Sequence, residues 1–141
     1  MSRIQLAINV SNLDDSIAFY SKLFGIEPAK RRPGYANFAV TEPPLKLVLI
    51  ENNTEAGTLN HLGVEVETSA EVDAAEQRLN SKGLETETEN QVSCCYAVQD
   101  KVWVTDPDNS PWEIYKVLDD ADTFGRTQAK TPASACTSCG S

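Results

Sequence analysis

Residues 60–67 read NHLGVEVE, and residues 4–10 read IQLAINV. Both stretches alternate. In the earlier one Ile4, Leu6, Ile8 and Val10 take one face while Gln5, Ala7 and Asn9 take the other. In the later one Leu62, Val64 and Val66 alternate with His61, Gly63 and Glu65. A period of two is the mark of a half-buried strand. Laid on one another, the stretches match Gln5 to His61, Ala7 to Gly63, Asn9 to Glu65 and Val10 to Val66. The second face of the first strand is polar but uncharged, which suits the lining of a cavity.

The match extends outward. After the first strand, Asn12 can cap a helix, with Asp15 three residues on. Leu13, Ile17, Tyr20 and Phe24 recur at helical spacing, and Gly25 stands where a left-handed stop belongs. A short segment near 26–30 follows, then a basic turn (Lys30, Arg31, Arg32) at Pro33-Gly34, a strand over 35–40, a Pro43-Pro44 turn and a strand over 45–50. After the second copy, Thr68 and Glu71 have the spacing of a capping box. Val72, Ala75 and Leu79 form the apolar stripe of another helix, which Gly83 ends as Gly25 ends the first. A segment over 84–89, a loop holding Cys94 and Cys95, and strands over 101–105 and 111–117 complete the copy. The final strands also align, with Lys46 on Glu113. The prediction is an α+β fold of two tandem βαβββ modules, about 3–52 and 59–118, in a single domain over 1–118. Two copies are too few for a solenoid. Residues 119–141, rich in Ala, Ser, Thr, Asp, Gly and Pro, are expected to form a flexible tail carrying Cys136 and Cys139.

Composition narrows the functions. A 141-residue chain can bury a real interior. Its net charge of −9 disfavours nucleic acid and anionic membrane surfaces as partners. No apolar run approaches the ~20 residues of a spanning helix, and no signal-peptide pattern opens the chain, so the cytoplasm is the expected compartment. Four cysteines in that compartment are expected as thiols. The sequence leaves the oligomeric state open.

The repeat also groups the chemistry. If corresponding strands face one cleft, Gln5, His61 and Glu113 converge as an amide oxygen, an imidazole and a carboxylate. That set suits a divalent first-row ion and leaves positions open for water, oxygen or substrate. Lys46, the fourth position, does not ligate while protonated. Each residue alone has a plainer reading: a hydrogen-bonded strand histidine, a wet glutamine, an exposed carboxylate beside Trp112 and Tyr115. Cys94 and Cys95 point apart on a regular strand and bond poorly as a disulfide. In a loop both sulfurs can turn toward one soft acceptor such as Cd(II) or trivalent arsenic. The competing reading is two buried, inert cysteines. Cys136 and Cys139 make a lone CxxC, half of a metal site.

With these residues in place, the chain resembles the vicinal oxygen chelate superfamily of glyoxalase I, extradiol dioxygenases and fosfomycin-resistance proteins. The segments QLAINV, AFYSKLFG, KRRPGYANFAV, PPLKLVLIEN, GTLNHLGVEVE, SCCYAVQDKVWVTDPD and PWEIYKVL more closely resemble its carbon–arsenic lyase group, also known as cadmium-induced proteins. The resemblance covers nearly all of residues 1–125. It implies a glyoxalase-like fold with a metal cleft and a non-haem Fe(II)-dependent dioxygenase that cleaves the C–As bond of trivalent organoarsenicals with O2. Methylarsenite would give arsenite and formaldehyde. Gln5, His61 and Glu113 would hold Fe(II) as the catalytic centre, and Cys94 and Cys95 would bind arsenic as a dithiolate. Glutamine replaces one histidine of the familiar iron triad. Lys46 stands where glyoxalase I has a carboxylate, which counts against a methylglyoxal–glutathione site. The alternatives are a non-catalytic thiolate binder of Cd(II) or arsenite, and another enzyme of the superfamily.

Overall fold

The computed structural model describes residues 2–94 and 96–120. Ten elements follow in order: β1 (Arg3–Val10), α1 (Leu13–Phe24), β2 (Lys30–Arg32), β3 (Tyr35–Val40), β4 (Leu45–Glu51), β5 (Leu59–Glu65), α2 (Ser69–Ser81), β6 (Glu87–Cys94), β7 (Ala97–Thr105) and β8 (Pro111–Asp120). This is βαβββ twice, as the repeat predicts. The chain divides into two compact units, one over Arg3–Leu62 and one from Gly63 onward. The division falls inside β5. The turn before β5 is tied to β1: Asn9 N–H donates to Thr58 C=O at 2.9 Å and Gly57 N–H donates to Asn9 C=O at 2.9 Å.

In the first unit the strand order is β2-β3-β4-β1. β2, β3 and β4 form an antiparallel meander, and β1 joins β4 in parallel, Gln5 opposite Lys46 and Asn9 opposite Ile50. One face of this sheet is apolar. Phe38, Val40, Leu47, Leu49 and Val10 pack on it with Leu13 and Ile17 of α1. The helix begins as expected, with Asn12 Oδ1 accepting from Asp15 N–H at 2.9 Å. It ends at Gly25, whose φ of 70° is easy for glycine and strained for other residues. The basic residues 30–32 differ from expectation. They form β2 itself, with the turn confined to Pro33-Gly34, because pairing with β3 satisfies their backbone and Asp14 meets the Arg31 guanidinium.

In the second unit the order is β6-β7-β8-β5, the same permutation as β2-β3-β4-β1. Val72 and Ala75 of α2 pack on Val102, with Val66 and Ile114 alongside. The capping box is complete: Glu71 N–H donates to Thr68 Oγ1 at 3.2 Å, and Thr68 N–H to Glu71 Oε2 at 3.0 Å. Two elements outrun the sequence reading. β6 continues past a bulge at Gln91 (φ 52°), whose N–H is taken by Asp100 Oδ1 at 2.8 Å, and reaches Cys94. β8 continues to Asp120, so Asp119 and Asp120 are strand residues opposite Val98 and Ala97 rather than the start of the tail. The rest of that tail, with Cys136 and Cys139, lies outside the described residues. No described helix is long and apolar enough to cross a membrane.

Candidate active site

Strand alternation decides what each sheet offers opposite its helix. In the first unit, the face away from α1 carries Gln5, Ala7 and Asn9 of β1. Lys46, Val48 and Ile50 of β4 stand in register with them, followed by Ala39, Asn37 and Tyr35 of β3. Asn37 Nδ2 donates to Tyr35 Oη at 3.0 Å. This face is largely buried and sets Gln5, Asn9 and Asn37 among apolar neighbours such as Ala7, Val48 and Ile50. Buried polar groups are costly unless hydrogen-bonded, so the pattern of bonds on it is informative.

Gln5 and His61 meet there. Gln5 is 4% exposed and His61 2%, and their Nε2 atoms lie 3.1 Å apart. On its other side His61 Nδ1 lies 2.8 Å from Asn60 Oδ1. An amide oxygen only accepts, so a hydrogen bond at this contact requires the hydrogen on Nδ1. In the neutral ring Nε2 is then the lone-pair nitrogen, and the Gln5 amide donates to it. The two residues matched by the sequence repeat are thus direct partners.

Glu113 belongs to the second unit, on the β8 face away from α2. It is 3% exposed, not the surface carboxylate of the plainer reading. Lys101, wholly buried on β7, places its Nζ 2.8 Å from Glu113 Oε1 and 5.3 Å from the centroid of Trp103. The contact is an ion pair whose angles lie outside hydrogen-bond geometry. Register explains the grouping: Trp103 is opposite Glu113, Lys101 opposite Tyr115, and Glu89 opposite Lys101. All five side chains share one face, and each is buried. Tyr115 Oη also reaches Glu65 Oε1 at 3.5 Å.

Cys94 ends β6 with its backbone paired to Ala97, and Tyr96 holds φ at 64°. Cys94 is therefore a strand terminus and not a mid-loop residue. Cys95 lies outside the described residues. Sequence reading missed Lys101, Asn60 and Thr58. The signal for Lys101 was present: in KVWVT a lysine shares its face with Trp103, while Val102 and Val104 take the helix side.

Residues 3–114 match the family model described as the Glyoxalase/Bleomycin resistance protein/Dioxygenase superfamily. A protein of Thermomonospora curvata called trivalent organoarsenical cleaving enzyme is 63% identical over 137 residues, covering 96% of this chain and 88% of that protein. The cadmium-induced protein CadI of Mycobacterium tuberculosis is 61% identical over 125 residues, covering 89% of this chain and 82% of that one. Among solved structures, homoprotocatechuate 2,3-dioxygenase from Arthrobacter globiformis aligns with a TM-score of 0.62 at 24% identity, over 84% of this chain and 36% of that one. The Mn(II)-bound glyoxalase from Novosphingobium aromaticivorans aligns at 0.59 with 20% identity, over 92% and 44%. These two likenesses show the fold alone.

Proposed function

This chain belongs to the glyoxalase/bleomycin resistance protein/dioxygenase superfamily, and on that premise we propose that it is an Fe(II)-dependent dioxygenase of the cytoplasm that cleaves the carbon–arsenic bond of trivalent organoarsenicals. The observation that carries the metal part of this reading is the buried Gln5–His61 pair, joined at 3.1 Å through the imidazole nitrogen that keeps its lone pair. The substrate part rests on the relative named as a trivalent organoarsenical cleaving enzyme.

An imidazole, an amide oxygen and a carboxylate make a donor set that suits a divalent ion. His61 would ligate through Nε2, Gln5 through Oε1 once its amide turns over, and Glu113 through its carboxylate. Loading would then replace the Gln5–His61 hydrogen bond with ligation by both residues. Fe(II) held there would supply activation of O2, which neither side chains nor thiols can provide. The reaction balances with one O2 and no other reductant: methylarsenite plus O2 gives arsenite plus formaldehyde. The methyl carbon is oxidised, O2 is reduced, and arsenic stays trivalent.

The chain's own groups bind and orient. An As(III) centre with one organic substituent has two valences left for sulfur. Cys94 and Cys95 would take both as thiolates and leave the carbon attached, fixing its direction toward the metal; such positioning accounts for a large share of many rates. Lys101 would hold Glu113 in place and offset its charge. Capture would form two As–S bonds while the two hydroxyls of methylarsenite leave as water with the thiol hydrogens, so at equilibrium it is proton-neutral. The thiolate is the attacking form, however, and the capture rate should fall as pH is lowered from neutral. Stopped-flow capture at neutral and acidic pH checks this, and an unchanged rate would count against thiolate attack.

The direct test is anaerobic loading with Fe(II), addition of methylarsenite and then air, and speciation of the released arsenic. Arsenite and formaldehyde, dependent on both Fe(II) and oxygen, are the expected products. Methylarsenite recovered unchanged but tightly bound would replace the enzyme with a thiolate trap, the reading favoured by the cadmium-induced relative.

A further inference from the structure

We propose that Asn60, Asn9 and Thr58 form a one-way hydrogen-bond relay that fixes the ring tautomer and orientation of His61. Four bonds link the ring to the backbone. His61 Nδ1 is 2.8 Å from Asn60 Oδ1. Asn60 Nδ2 donates to Asn9 Oδ1 at 3.0 Å. Asn9 Nδ2 donates to Thr58 Oγ1 at 3.0 Å. Thr58 Oγ1 donates to the Glu55 carbonyl at 2.5 Å.

The direction of this relay is forced from its outer end. A backbone carbonyl accepts and never donates, so the Thr58 hydroxyl must spend its single hydrogen on Glu55. The Thr58 oxygen can then only accept, which turns the NH2 of Asn9 toward it. That leaves Asn9 Oδ1 to accept from the NH2 of Asn60, and Asn60 Oδ1 to accept from His61. The hydrogen of the neutral ring is thereby placed on Nδ1, and Nε2 keeps its lone pair toward Gln5. Reversing any one bond would leave two donors or two acceptors face to face.

The anchor is built with care. Residues 55–58 form a β-turn in which Thr58 N–H also reaches Glu55 C=O, at 3.1 Å. Gly57 supplies the left-handed φ of 85° that a type II turn demands at its third position. Asn9, buried at 5% exposure, is held at its backbone by both Gly57 and Thr58. The outer end is wet, since Thr58 is exposed and lines, with Asn9, Phe19 and Leu59, a pocket of about 460 Å3. Water there could donate or accept equally well, so it could not set a direction. A carbonyl can.

The relay stands on its own bonds, and its use in metal capture rests on the function proposed above. Partners that orient a ligating imidazole commonly affect metal affinity by about 10–100-fold. Asn60, Asn9 and Thr58 are therefore positioning residues that act through His61.

His61 is the chain's single histidine, so its ring nitrogens can be read without assignment. In metal-free protein labelled with 15N-histidine, at a pH where the ring is neutral, long-range proton–nitrogen correlations should show Nδ1 carrying the hydrogen. Asn60→Leu should shift the ring toward the other tautomer, whereas Asn60→Asp, which keeps an accepting oxygen, should not. Thr58→Val should produce a mixed population from three hydrogen bonds away, and Thr58→Ser should restore the original form. A wild-type ring protonated on Nε2, or an Asn60→Leu ring like the wild type, would overturn the proposal. Should Asn60→Leu fail to fold, the Thr58 pair decides alone. Anaerobic Fe(II) titration of the same variants separates the two readings. A tautomer that moves with about a 10–100-fold loss of Fe(II) affinity supports both. A tautomer that moves with Fe(II) affinity unchanged leaves the relay intact and overturns its metal role.

Discussion

The two units share one plan and one strand order, yet their buried polar faces are built from different chemistry. The first uses neutral groups: Gln5, Asn9, Asn60 and His61 are joined by hydrogen bonds with defined direction. The second uses charge: Lys101 lies between Glu113 and the Trp103 ring, with Glu89 opposite it in register. Amides and hydroxyls carry directional information because each must choose whether to donate or accept. A lysine–carboxylate pair carries little of it, but it keeps a carboxyl group in a dry place. A repeat that begins with matching strands has thus been divided between orienting an imidazole and stabilising a carboxylate.

That division can be broken from either side. The largest effect is expected from His61→Ala, which should reduce C–As cleavage to background while leaving arsenical binding near the wild-type level. Turnover that persists would remove the imidazole from the reaction. Next is Lys101→Met, which takes away the cation 2.8 Å from Glu113. Breaking a buried pair of this kind costs about 3–5 kcal/mol. Urea unfolding should show such a loss, and Lys101→Met combined with Glu113→Gln should recover most of it. A double variant no more stable than the single one would mean that Lys101 acts through packing. Asn9→Ala strands Asn60 on one side and Thr58 on the other, and a cost of about 1–3 kcal/mol is expected. A loss equal to that of Lys101→Met would erase the contrast between directional and ionic units. The smallest effects belong to the helix caps, where the units are alike. Asn12→Ala and Thr68→Ala should each cost about 1 kcal/mol in thermal or urea unfolding. Unequal costs would show that the units differ in helix anchoring as well.

The features legible in the sequence were those with local causes. The helices could be read because caps, stripes and stops lie within a few residues of one another. Gln5 and His61 could be matched because their strands share an alternation, and the structure does make them partners. Glu113 was identified by the same repeat, but its burial was not, because burial depends on the neighbours β7 supplies. Lys101 was hidden for that reason: a lysine in an alternating strand ordinarily faces water, and only its register with Tyr115 and Glu89 reveals otherwise. The relay was hidden more deeply. Neighbouring residues on an ideal strand point apart, so nothing in NH at 60–61 announces that Asn60 reaches the His61 ring. The length of β6 was misjudged because the Gln91 bulge interrupts the alternation that would have carried a strand through to Cys94.

The parallel pairing of β1 with β4 bears on how the protein is made. Gln5 leaves the ribosome well before its partner Lys46, because the strand that pairs with β1, joining Ile4 to Leu45 and Val10 to Glu51, is among the last of its unit to emerge. Contacts so distant in sequence form late, because a long loop must close before they repay its entropy. Until then the nascent chain presents a strand with an unpaired edge and an apolar side of Ile4, Leu6, Ile8 and Val10, a form prone to sticking to other chains. The segment that supplies the amide partner of the only imidazole is thus one that benefits from shelter during synthesis.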